Sequence, residues 1–102
     1  MATPTPAQID ALQRLWKLAN GHSGQCRYIA RFLLGLYNGQ RFPFDLTDFR
    51  CIDTDVFRDC LVVLVMDHAP RAEVHVLLGL PGEDFERLAR DWGVIDHSRS
   101  AT

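Results

Sequence analysis

The chain has 102 residues, enough for one hydrophobic core and too few for two domains of ordinary size. Apolar residues make up 47% and charged residues 24%, the balance of an ordinary soluble globular protein, with a formal net charge of −2. The most apolar run, Cys60 to Met66, is far shorter than the roughly 18 residues that cross a bilayer. The opening "MATPTPAQID" lacks the basic-then-apolar pattern of a secretory signal. A cytoplasmic protein with no membrane partner is therefore expected, its three cysteines (Cys26, Cys51 and Cys60) carried as thiols.

In chain order, Thr5-Pro6-Ala7-Gln8 reads as a capping box with Pro in the first helical turn. Ile9, Leu12, Trp16 and Ala19 follow on one face, which predicts a helix over about 6–20 stopped by a left-handed Gly21. A second helix is predicted from a Ser23 cap to Asn38-Gly39. It carries Cys26, Ile29, Ala30, Leu33, Leu36 and Tyr37 on one face and Arg27 and Arg31 on the other. The short connection favours an antiparallel hairpin of the two helices. "GQRFPF" reads as a loop broken by Pro43, its phenylalanines packing down as a lid. Asp45 then caps a short helical turn through about Cys51.

From Asp53 to His68 two readings compete. Val62, Val63 and Val65 are β-branched, and "AEVHVLL" offers a hairpin partner, so an α+β fold with a hairpin at about 60–78 is the alternative. The helix is favoured by its acidic start, its terminal His68 and the rhythm of Phe57, Cys60, Leu61, Leu64 and Met66. Seven consecutive apolar residues further predict a central helix surrounded by others. A two-turn helix is expected from Pro70 to Gly79. The last helix has Phe85, Leu88, Ala89 and Trp92 inside, Glu83–Arg87 and Glu86–Arg90 pairs outside, and Gly93 as its stop. The expected architecture is all-α: a compact bundle of four to five short helices forming one domain over 1–94, with a disordered tail over 95–102.

Charge is unevenly distributed. Residues 1–50 hold six basic side chains against three acidic, and residues 51–102 hold five against ten. This polarity makes a basic face for nucleic acid, or an acidic face for a basic partner, or it lets the two halves attract one another across the fold. The last is the expectation.

Chemistry-bearing residues do not assemble into a set. Cys51 and Cys60 are nine apart and His68 and His75 seven apart, whereas zinc modules present ligands in close pairs. Cys26 and Cys60 fall on apolar faces, where cysteine behaves as a small hydrophobe. Cys51 is the accessible thiol, among Asp48, Asp53 and Asp55, which disfavour a thiolate. No glycine-rich phosphate loop is present. No catalytic residue, metal or cofactor is expected.

Two surfaces remain as candidates. Arg14, Lys17, Arg27, Arg31 and Arg41 form a candidate basic face for nucleic acid. Tyr28, Phe32, Phe42 and Phe44 form a candidate aromatic patch for a protein partner or for self-association, the alternative being a core that wraps both sides of the second helix.

The run "FLLGLYNG…FPFDLTDFRCIDTDVFRDCL", with "EVH" and the closing "FERLARDWG", resembles a family of small uncharacterised proteins. The family is found in proteobacteria, often encoded on integrative and conjugative elements and plasmids. The resemblance spans about residues 9–94 and is most specific at "FDLTDFRCID". It implies a cytoplasmic bacterial protein in an accessory role and carries over no catalytic residues. The expected function is a non-enzymatic interaction or regulatory accessory protein working through a surface, as a homodimer or with an unidentified protein partner. The alternative is a nucleic-acid-binding protein.

Overall fold

The computed structural model describes residues 3–98, and the architecture is all-α. Five α-helices, α1 (Pro6–Ala19), α2 (Cys26–Tyr37), α3 (Thr54–His68), α4 (Val74–Leu77) and α5 (Gly82–Trp92), are joined by a 3-10 turn at Leu46–Cys51. No strand occurs among the described residues, so the hairpin alternative at 60–78 is not adopted.

The capping box closes as its residues dictate. The Gln8 amide donates to the Thr5 hydroxyl at 3.1 Å, and the Thr5 amide donates to Gln8 Oε1 at 2.9 Å, satisfying two donors at the start of α1. Its far end differs from expectation. Gly21 is not left-handed; Asn20 caps α1, and a Cβ on Gly21 would stand 2.9 Å from Cys26 Sγ. Ser23 likewise does not cap α2; its hydroxyl lies 3.0 Å from that same sulfur. Pro70 stays outside any helix, and α4 begins only at Val74, after the extended Glu73. Gly93 does end α5 in the left-handed conformation, at φ 63°.

α1 packs against both α2 and α3, while α2 also meets α4, α5 and the 3-10 turn. The order across the molecule is therefore α3, α1, α2 and then α4 with α5. The shortest extent, 21 Å, is about two helix diameters. One core cluster runs through these layers, with Leu12 and Leu15 from α1, Ile29 and Leu33 from α2, Cys60 and Val63 from α3, and Phe85 and Leu88 from α5. Each fully buried leucine or phenylalanine contributes about 1.5–3 kcal/mol relative to exposure. Ring contacts stitch the layers: Phe85 stacks on Trp16 at 4.8 Å and on Tyr37 at 5.0 Å. Trp92 Nε1 donates to the Ala19 carbonyl at 2.8 Å, satisfying an acceptor that the end of α1 leaves open.

The centre of the bundle is α2. It buries Phe32, Leu33 and Leu34 in succession, which requires neighbours on more than one side. The expectation that the 60–66 run is the surrounded helix is corrected. α3 lies at the edge, burying Cys60, Val63 and Met66 and leaving Leu61, Val62, Leu64 and Val65 exposed. At about 100° per residue, seven consecutive apolar side chains cover the whole circumference of a helix. A neighbour on one side hides only part of them.

At the C-terminus, Asp96 accepts from Arg41 and the His97 amide donates to the Arg41 carbonyl at 2.8 Å. The expected disordered tail began at 95; its residues 99–102 lie outside the described residues.

Candidate functional site

The five basic side chains expected to form one face are dispersed. Arg14 makes a two-pronged bond to Asp59 on α3, both contacts 2.9 Å. Lys17 lies beside it in the groove between α1 and α3. Arg27 stacks over Tyr28 at 4.7 Å and donates to its hydroxyl at 2.6 Å, and Arg31 stands 3.7 Å from Asp48. Arg41 is engaged elsewhere, by α5 and the segment after it. The pairs Arg14–Asp59, Arg41–Glu86 and Arg41–Asp96 join the basic first half to the acidic second half, as the charge pattern predicted.

Arg41 is the hub of the strongest polar constellation. Its guanidinium donates to Glu86 at 2.7 and 2.8 Å and to Asp96 at 2.8 and 3.2 Å, and it lies 4.8 Å over the Phe42 ring. Tyr37 donates its hydroxyl to Glu86 at 2.6 Å. Hydrogen bonds from Arg41, and then from Tyr37, hold the Glu86 carboxyl at about 2. Asp96 is also held well below the usual carboxylate range, first by Arg41 and then by Ser98. The bond to Glu86 raises Tyr37 above its ordinary value. These directions fix the groups in their resting states and move them away from proton transfer near neutrality, so the set acts as a clamp between α2 and α5. The expected Glu86–Arg90 pair is corrected accordingly: Glu86 turns inward to Arg41, Arg90 takes Glu83 at 2.6 Å, and Arg87 takes Asp91 at 2.8 Å.

Other reactive groups are isolated. Burial, and then Asp59, pushes the Cys60 thiol up to about 12, and Cys26 is buried as well, leaving Cys51 exposed. His75 Nδ1 is buried without a hydrogen-bond partner, its ring edge-on to Tyr37 at 5.5 Å. Among the described residues no group of three or more His, Cys, Asp or Glu is placed to hold a metal. No helix there is long and apolar enough to cross a membrane.

The aromatic patch also requires correction. Phe32 and Phe42 are 4% and 2% exposed, and Tyr28 and Phe44 are half-buried. Phe32, Phe44, Phe49 and Phe57 form a chain of rings with centroids 4.9–5.7 Å apart, filling the seam between α2, the 3-10 turn and α3. Edge and tilted contacts of this kind add to area burial, which draws the rings inward. The wrapped core is thus the arrangement adopted. Phe32 and Phe44 reach the surface only as walls of an apolar groove of about 210 Å³, closed by Phe49, Leu36, Leu46 and Leu64.

The open apolar surface lies beside that groove, on α3. Val65 is 69% exposed, Leu61 44%, and Leu46 at the groove's edge 74%. Thr54, Arg58, Leu61, Val65 and His68 are all exposed and recur at alternating intervals of four and three, so they share one face of α3. On the opposite flank of α3 lies a concavity of about 650 Å³ lined by Leu18 and Val56, with Lys17, Arg58 and the Arg14–Asp59 pair around it. α3 is therefore a ridge between two grooves. Sequence reasoning missed this face, although its signal was present: so few short helices cannot surround both α2 and an all-round apolar α3.

A model for a family of unknown function, DUF7673, matches residues 9–93. The chain belongs to that family. The match covers every helix except the first turn of α1. No curated protein and no solved structure matches the chain. Membership therefore brings no activity with it.

Proposed function

We propose that this protein is a non-enzymatic interaction module, an accessory protein of a bacterial mobile element that acts in the cytoplasm through the outer face of α3. The single observation behind this reading is the apolar ridge of Leu61, Val62, Leu64 and Val65, left open beside an apolar groove in a chain whose other apolar helix is enclosed. Contiguous apolar surface of this kind has a cost in water that a partner relieves. The accessory role and its setting rest on the family resemblance alone. Nucleic-acid binding is the weaker reading, because Arg14, Arg31 and Arg41 each face a carboxylate.

The test is chemical cross-linking in an extract of a bacterial host, comparing the wild type with Leu61→Lys/Val65→Lys. Cross-linked species formed by the wild type, including the protein with itself, are expected to disappear in a variant whose circular dichroism is unchanged. Identical species from both proteins would overturn the reading. So would loss of helical structure in the variant, which would make these residues core.

A further inference from the structure

The larger of the two grooves beside α3 lies against α1, and its chemistry differs from that of the open ridge. Arg14, Lys17 and Leu18 line it from α1, and Asp55, Val56, Arg58 and Asp59 line it from α3. Leu18 and Val56 pack against the core, so the floor is apolar and firmly backed. Its volume of about 650 Å³ lies in the range of small-molecule sites, roughly 300–1,000 Å³. The two-pronged Arg14–Asp59 bond joins α1 to α3 at this groove, which fixes its walls before anything enters.

Most of the charge around the groove is already spent. Arg14 and Asp59 neutralise one another, and Asp55 and Arg58 pair at 3.8 Å within α3. Lys17 is left over. Among the described residues its ammonium makes no hydrogen bond or ion pair. Asp10 shares a neighbouring hollow with Arg14 and Lys17, but it does not line the groove and is bonded to neither. One uncompensated cation beside an apolar floor complements a ligand with an apolar body and a single negative charge. The body covers Leu18 and Val56, and the anion meets an ammonium whose flexible stem lets it follow. A bare anion would gain only a solvent-screened contact, and a neutral body would leave Lys17 unmatched. We propose that this groove binds a small amphipathic anion, a short hydrocarbon body bearing one carboxylate, with Lys17 as its charged contact.

Titration of the full-length protein with octanoate, followed by heteronuclear NMR, tests this. Octanoate is expected to approach saturation near about 1 mM and to move the amide signals of Leu18 and Val56. Octan-1-ol, the body without the charge, is expected to bind about fivefold more weakly, and acetate, the charge without the body, not to saturate. Lys17→Gln, at an exposed position, is expected to lower octanoate affinity about fivefold and to leave octan-1-ol unchanged. Equal affinity of the wild type for octanoate and octan-1-ol, a comparison that needs no variant to fold, would overturn the proposal. So would the absence of saturation by octanoate, or an unchanged octanoate affinity in Lys17→Gln. The groove does not depend on the interaction reading above: Leu61→Lys/Val65→Lys is expected to bind octanoate as the wild type does. Loss of octanoate binding in that variant would place the contact on the outer face of α3 and overturn the assignment to this groove.

Discussion

α2 and α3 are the two most apolar of the longer helices, and they have opposite fates. α2 is enclosed by α1, α4, α5, the 3-10 turn and the Phe42–Phe44 lid, and its Ile29, Ala30, Phe32, Leu33 and Leu34 all belong to one core cluster. α3 carries the longer apolar run, yet only Cys60, Val63 and Met66 are buried on it. Apolar content alone therefore does not locate the centre of a small bundle. Position in the layers does, and that depends on which helices can reach one another. The excess on α3 is exposed surface, not core.

The largest effect that separates the two helices is expected from truncation inside α2. Leu33 is fully buried, and Leu33→Ala is expected to cost about 2–5 kcal/mol in urea unfolding. A cost below about 1 kcal/mol would mean that α2 is not the enclosed helix and would break the comparison. Next comes the clamp that locks the end of α2 to α5. Arg41→Ala removes charge-assisted bonds to two carboxylates and leaves Glu86 beside Asp96, with an expected loss of about 1.5–3 kcal/mol. For a domain of this size each kcal/mol lowers the melting temperature by about 4–8 °C, which a thermal scan reads directly.

A smaller effect follows from pH. The Glu86 carboxyl is depressed from 4.5 to about 2, so its contribution is fully present above the ordinary value and is lost as pH falls from about 4.5 through about 2. Asp96 is depressed too and acts in the same direction. Denaturant midpoints should fall across that window in the wild type, and the fall should be shallower in Glu86→Gln. Equal slopes in the two proteins would show that the clamp does not carry this linkage.

Much of the fold was legible in the sequence because local signals sufficed. The Thr5–Gln8 box, the Asp45 cap, Gly93 and the apolar periods of α1 and α5 each act within a few residues. The favoured helix over Asp53–His68 formed for the same reason. What the sequence hid was relational. The partner of Arg41 lies 45 residues away in Glu86, and no helical spacing points to it. Phe32 looked available as surface until the seam with Phe44 and Phe49 drew it inward, and Phe42 joins the core cluster instead. The ridge on α3 was missed because an all-round apolar run was read as enclosed, which presumes neighbours that the chain has already committed to α2.

The central claim is that the outer face of α3 is an interface and not a structural element of the monomer. Cross-linking in a host extract, comparing the wild type with Leu61→Lys/Val65→Lys, tests it. The wild type is expected to form cross-linked species, with itself or with another protein, that the variant loses while its helical content stays unchanged. The same cross-linked species from both proteins would contradict an interface on this face.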